Sequence, residues 1–267
     1  MTIMESVRLQ EQIETGVDHN RNLGSVPENP FAHVTAQSII QQHRFLPDHT
    51  AILGLCEDGL PVMVDWLDPR PGSFLIGGTN LDGITQLLQL AALTTMARTM
   101  KSEMAILILS SRPEKWSSFQ KFPGSPEITI QPIYERKAGD AILRCSRQLD
   151  QRMNGRTRSI LQLVIVDNLA YLNHVDFDVQ VNFRWFARQG PEFKMWTIAG
   201  IDSSQAQDCD SFLPSFQTRI LGQTNDPFQA DWLANGPAPD TTWFHPRQQF
   251  AVRIRHNWMN FWLPGQV

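Results

Sequence analysis

Cysteine is scarce and unpaired in this sequence: Cys56, Cys145 and Cys209 lie far apart, odd in number and in no C-x-x-C arrangement. That excludes a disulfide framework and a thiolate metal centre, and it points to a reducing compartment, expected to be the cytoplasm. A basic excess is missing as well. Lysine and arginine number 23 against 27 aspartates and glutamates, a net charge of -4, so the chain as a whole has no electrostatic pull toward phosphate backbones and charge does not support DNA as a partner. No run approaches the roughly eighteen apolar residues of a membrane span, and "MTIMESVRLQEQ" has no apolar signal core, so direct membrane insertion is not expected. The histidines do not cluster: His43 and His49 flank Asp48 without zinc spacing and read as surface residues. Ser110, Ser111, Ser203 and Ser204 stand in no G-x-S-x-G context, which leaves no hydrolase triad.

What is present is enough apolar content for one large α/β domain and a tail. Residues 1–50 are polar and broken by "GVDHNRNLGSVPENP"; they read as an arm or linker, with a short helix over Met4 to Thr15. The domain spans 51–267. It opens with "AILGLCEDGLPVMVDWLD", two apolar runs around Asp58-Gly59, which is a hairpin signal. A strand follows at Ser73 to Gly77, then a helix from near Gly83 whose Ile84, Leu87, Leu88, Leu90, Ala91 and Met96 make it apolar nearly all round. Strands and helices then alternate: "EMAILILSS", a helix over "RPEKWSSFQKF", "EITIQPIY", a helix over Lys137 to Met153, and "LQLVIVDNL". A helix from Val179 to Gln189 and the strand "KMWTIAG" continue the order, and "FAVRIRHNWMNFWLP" reads as two closing strands. Such alternation predicts a mostly parallel sheet flanked by helices, with an N-terminal hairpin and antiparallel C-terminal strands.

Between the first parallel strand and its helix, "GGTNLDGIT" follows the phosphate-loop template G-x-x-x-x-G-K-[ST] with Gly78, Gly83 and Thr85 in place. Thr79 and Asn80 lie within the loop, and Ile84 stands where the template has lysine. A plain turn between strand and helix explains the same residues. Asp167, at the end of a continuous apolar strand and followed by Asn168, is either a capping residue or a metal-ligand vestige. Asp176 and Asp178 in "HVDFDV" read as a solvated loop rather than an acid/base pair.

The order of these landmarks resembles the FtsK/SpoIIIE and HerA superfamily of P-loop ATPase motors, which includes the motors of type VII secretion and conjugation. "GSFLIGGTNLDGIT" is similar to that family's strand and loop, "LQLVIVDNLAYL" to its acidic strand, and "RQGPEFKMWTIAGID" to its R-x-G segment and sensor strand. "FQTRILG" and the closing "FWLP" are similar to late segments, so the resemblance covers about Ala51 to Pro264. It implies a RecA-like P-loop fold in which the strand at Ser73 to Gly77 lies beside the strand at Leu161 to Asp167 in a mostly parallel sheet, bringing Thr85 and Asp167 to the same edge.

The departures all concern nucleotide chemistry. Leu81 replaces a glycine that lets the loop wrap phosphate, and Asp82 puts a carboxylate near the phosphates. At about 4 Å and an effective dielectric near 20 that costs on the order of 4 kcal/mol per unit charge. Ile84 removes the ammonium, Asn168 replaces the glutamate that activates water, and Ile201 replaces the sensor glutamine. Thr85 and Asp167, the residue types that hold magnesium, remain, so at most weak binding of ATP or ADP with magnesium is implied.

By the resemblance, Arg184, Arg188 and Arg219 would face a neighbouring subunit; as residues alone they read as surface ion-pair partners. The aromatic C-terminal stretch, with Trp232, Trp243, Phe244, Trp258, Phe261 and Trp262, is core packing with some excess for a partner. The expected protein is a non-catalytic P-loop subunit, structural or regulatory, in a translocase-type assembly, as a homo-oligomer or beside a paralogous motor. The enzyme alternative is an active DNA or protein translocase rescued by a lysine such as Lys101 or Lys194. A third class is a peptide-binding or partner-binding module.

Overall fold

The computed structural model describes residues 28–121, 126–157, 160–255 and 257–265; the helix expected over Met4 to Thr15 lies outside them. A short helix α1 (Ala36–Gln42) comes first, its amino end closed by reciprocal hydrogen bonds between Thr35 and Ser38. The hairpin follows as β1 (Thr50–Leu55) and β2 (Pro61–Asp65), turning through Gly59 at φ 81°. Then come β3 (Phe74–Gly78), α2 (Leu81–Met96), β4 (Met104–Ser110), a 3-10 segment over Pro113–Lys121, β5 (Glu127–Pro132) and α3 (Arg136–Met153). The remainder is β6 (Leu161–Val166), α4 (Phe177–Gln189), β7 (Met195–Asp202), β8 (Thr218–Leu221), α5 (Pro227–Ala234), β9 (Gln249–Ile254) and β10 (Asn257–Trp262).

Ten described strands form one sheet in the order β2-β1-β10-β9-β8-β3-β7-β6-β4-β5. From β8 to β5 every pairing is parallel; from β2 to β8 every pairing is antiparallel. The N-terminal hairpin and the closing strands thus extend the parallel sheet as one ribbon. The sequence reading placed β3 beside β6; instead β7 lies between them, pairing Leu75 with Ala199 on one side and Ile165 with Ile198 on the other. All three strands are continuous apolar runs buried on both faces, and such runs carry no signal for which neighbour each takes.

One core lies under α2 and holds Ile76, Leu87, Ile108, Ile165 and Trp196; the other, under α3, α4 and α5, holds Leu75, Leu109, Val166, Phe183 and Leu233. Successive β3 residues alternate between them, as a strand covered on both faces requires. Helix α2 is apolar around its circumference because it is sandwiched: Thr94 Oγ1 accepts from Ile52 N of β1 at 2.9 Å, while Trp66 Nε1 donates to Thr95 Oγ1 at 2.9 Å. Trp196 Nε1 donates to Trp66 O at 2.9 Å and its ring packs 5.1 Å from that of Trp66, tying the hairpin to β7.

Residues 28–50, read as part of an arm, pack on the domain where they are described. Ile39 and Leu46 are buried with Ile52 and Met63, and Asn29 Nδ2 donates to Gln248 Oε1 and Leu263 O. Among the described residues, no helix is long and apolar enough to cross a membrane.

Candidate functional site

Strands β3, β7, β6 and β4 run parallel, so their carboxyl ends share one edge of the sheet, where ligands of open α/β sheets bind. Gly78, Ser110, Asp167 and Asp202 all reach it. The sequence reading brought Thr85 and Asp167 to a common edge, and that placement is correct even though their strands are not neighbours.

The loop itself is shorter than the template implies. Asn80 is the N-cap of α2, with its side chain accepting from Gly83 N at 2.9 Å, so the helix begins at Leu81 rather than near Gly83. A phosphate-binding loop needs free amides turned inward over this stretch. Here Thr79 N donates to Gln223 O at 2.8 Å, Gly83 N to the Asn80 side chain, and Ile84 N to Asn80 O at 3.1 Å. Gly78 packs against the backbone of Gly222 and Gln223. A Cβ on Gly83 would stand 2.7 Å from Arg247 O, so the segment before β9 lies directly on the first turn of α2.

Ile84 is closed off from solvent at this edge. It is buried in the core under α2, with its Cγ2 against Gly200 of β7. Thr85 is buried and donates its hydroxyl to Leu81 O at 2.8 Å while accepting from Arg112 Nη2 at 3.0 Å.

Arg112, just past β4, is the residue that organises the edge. Its Nη1 pairs with Asp82 Oδ1 at 2.5 Å and its Nη2 also donates to Leu81 O at 3.2 Å. Lys115 Nζ adds a second cation 3.7 Å from the same carboxylate. The hydrogen bond from Arg112 chiefly holds the Asp82 carboxyl below its ordinary pKa; partial burial opposes this, and the charges of Arg112, Lys115 and Arg247 assist.

Asp167 is buried and fully engaged. Its Oδ2 accepts from the Ser110 hydroxyl, and its Oδ1 accepts from Ser111 N at 2.8 Å and Ser111 Oγ at 3.0 Å. Ser110 Oγ in turn accepts from Arg112 N at 2.9 Å. Asn168 is buried and caps the next turn by accepting from Ala170 N at 3.1 Å. A magnesium ion would have to displace serine donors from Asp167 and the Arg112 guanidinium from Thr85. Both residues that would hold magnesium are thus already bonded to protein donors.

The other sequence candidates fall elsewhere. Arg184 lies over the Phe212 ring at 5.9 Å, and Arg188 is exposed in the last turn of α4. Arg219 is buried in β8, not a surface ion pair. Lys101 and Lys194 precede the amino ends of β4 and β7, at the opposite sheet edge, so neither reaches the loop. Asp176 and Asp178 open α4 rather than lying in a loop. Arg112, Lys115 and the paired role of Ser110 and Ser111 were not foreseen. The usable signal was a basic stretch, "SSRPEK", directly after a central parallel strand.

No protein-family model and no curated protein sequence matches the chain. Solved structures do. The cytoplasmic domain of EssC superposes with TM-score 0.65 at 15% identity, covering 99% of this chain and 52% of that one. EssC ATPases 2 and 3 from Geobacillus thermodenitrificans give 0.66 at 14%, covering 99% and 49%. Thermomonospora curvata EccC ATPases 2 and 3, in complex with a signal sequence peptide, give 0.61 at 11%, covering 92% and 45%. The chain spans about half the length of these structures. At this identity the likeness is one of fold: a RecA-like P-loop ATPase fold, as the order of motifs implied.

Proposed function

We propose that this chain is a non-catalytic P-loop domain that serves as a structural or regulatory component of a translocase-type assembly. The observation that carries the reading is the internal saturation of the nucleotide edge. The Thr79, Gly83 and Ile84 amides are spent on Gln223 and Asn80, Arg112 binds Asp82 and Thr85, and Asp167 is satisfied by Ser110 and Ser111. Charge stabilisation and water activation each contribute several kcal/mol in phosphoryl transfer; the two cations at this edge, Arg112 and Lys115, are turned onto Asp82, and Asn168 stands where the activating carboxylate would be.

The purified chain is therefore expected to release phosphate from Mg-ATP no faster than its Asp167→Ala variant, and to give no saturable heat with Mg-ATP in calorimetry. Metal-dependent turnover by the unmodified chain that disappears in Asp167→Ala would overturn the proposal, and would restore the active translocase as the better reading.

A second reading, recognition of a partner, rests on a separate observation. Phe228 and Trp232 lie one turn apart on α5 and are 83% and 45% exposed, and Trp243 is 55% exposed. Phe244, Phe261 and Trp262 of the same aromatic stretch are buried, so only part of it is free to act. The EccC structure with a signal sequence peptide supports partner recognition on this fold. We take the chain's own copies or a paralogous motor subunit as the occupant. Sedimentation across a concentration series, with a paralogous motor domain added where one is encoded nearby, should show association that Phe228→Ser with Trp232→Ser weakens about tenfold or more. A strict monomer under all these conditions would count against it.

A further inference from the structure

The edge of the sheet opposite the loop holds a different arrangement. A cavity of about 660 Å³ lies between β2 and the β8–β9 pair, and a second, of about 710 Å³, lies under α5; Arg219 forms part of the wall of both. Volumes of this size suit small molecules. The charged residues around the first cavity are Asp65, Asp68, Arg70, Arg219, Arg253 and Arg255. Both carboxylates are already engaged: Asp68 pairs with Arg70 at 2.6 Å, and Asp65 Oδ1 accepts from Leu67 N at 2.8 Å.

Arg219 is only 4% exposed. Its Nη2 donates to Leu213 O, and its Nη1 is buried without a hydrogen-bond partner. Arg253 Nη1 donates to Ala234 O at 3.0 Å. Among the described residues no carboxylate pairs with either arginine. Burial, and then the neighbouring Arg253 charge, push the Arg219 pKa down to about 10. A buried guanidinium beside a like charge is a destabilising arrangement unless an anion compensates it, and an apolar side chain of similar volume would pack there at lower cost.

We propose that the cavity walled by Arg219 and Arg253 binds an oxyanion, the phosphate or carboxylate group of a small molecule. A guanidinium presents a planar fork of donors matched to either group, and two guanidinium groups against one anion turn repulsion into shared attraction. This inference is independent of the proposed function, because it concerns the other edge of the sheet and requires nothing of the nucleotide loop.

The test is thermal melting and calorimetry of the whole chain in chloride buffer at fixed ionic strength, titrated with sodium phosphate in one arm and sodium succinate in the other. One arm or both should raise the melting temperature saturably, and the anion that saturates at the lower concentration identifies the group. Arg219→Met should melt higher than wild type without anion and should lose the response. Arg253→Gln should bind about tenfold or more weakly, and it decides the matter if Arg219→Met does not fold. No saturable response to either anion beyond the chloride control, or a response retained in both variants, would overturn the site.

Discussion

Ile84→Lys, the substitution that the phosphate-loop template invites, is expected to lower the melting temperature by roughly 10 °C and to restore no nucleotide binding. Position 84 is closed off from solvent. Its side chain is buried under α2 against Gly200, among Leu87, Leu88 and Trp196. An ammonium there is an unpaired buried charge, which costs about 3–5 kcal/mol. For a domain of this size each kcal/mol lowers the midpoint by about 2–4 °C. Opening the loop requires moving the start of α2 instead, because Asn80 caps the helix at Leu81 and Arg112 clamps its first turn. Leu81→Gly with Asp82→Ser removes both the Asp82 ion pair and part of the helical preference. It should therefore precede Ile84→Lys in any reconstruction. Thermal melts and calorimetry with Mg-ATP on the single variant check the expectation; an unchanged midpoint with saturable nucleotide heat would mean that the helix start unwinds readily.

This result also marks where the sequence was and was not legible. The hairpin, the order of strands and helices, and the two closing strands follow from local signals: Asp58-Gly59 in the turn, period-two and continuous apolar runs, and alternation along the chain. Strand neighbours do not. β6 and β7 are equally apolar, and the insertion of β7 beside β3 is set by packing of Trp196 on Trp66 and of Ile84 on Gly200, contacts between distant segments. β8 is four residues long, too short for a period to show. At the site, the absent lysine and the acidic Asp82 were readable because a template exists for them. The earlier helix start was readable in principle, since Asn80 is a good N-cap and neither Leu81 nor Asp82 is a glycine. Arg112 was marked only by its place in the basic stretch after β4; its partners, Asp82 and Thr85, were not readable, because they depend on β4 being carried, through β6 and β7, to the edge where β3 ends.

Gly200→Ala is expected to destabilise the domain by about 3 kcal/mol, with the loss shared between the core and the nucleotide edge. A Cβ at position 200 would stand 2.5 Å from Ile84 Cγ2 and 2.7 Å from Asp167 O. The first contact is with the branch methyl of a buried isoleucine on a helix, which has little freedom to turn. The second is with backbone at the end of β6, whose side chain is held by Ser110 and Ser111. Relief must therefore come mainly from separating β6 and α2 from β7, which lengthens the ladder linking the strand before the loop to the acidic strand. A double-mutant cycle with Ile84→Ala separates the two contributions. Ile84→Ala alone leaves a cavity and costs about 2–4 kcal/mol. Combined with Gly200→Ala it frees the space that the new methyl needs, so the pair should be less destabilised than the sum, by about 1 kcal/mol or more. Denaturant unfolding of the four proteins measures this. Additive effects would mean that the Asp167 carbonyl alone sets the cost, and a negligible effect of Gly200→Ala would mean that β6, β7 and α2 are not held at the spacing that closes the edge.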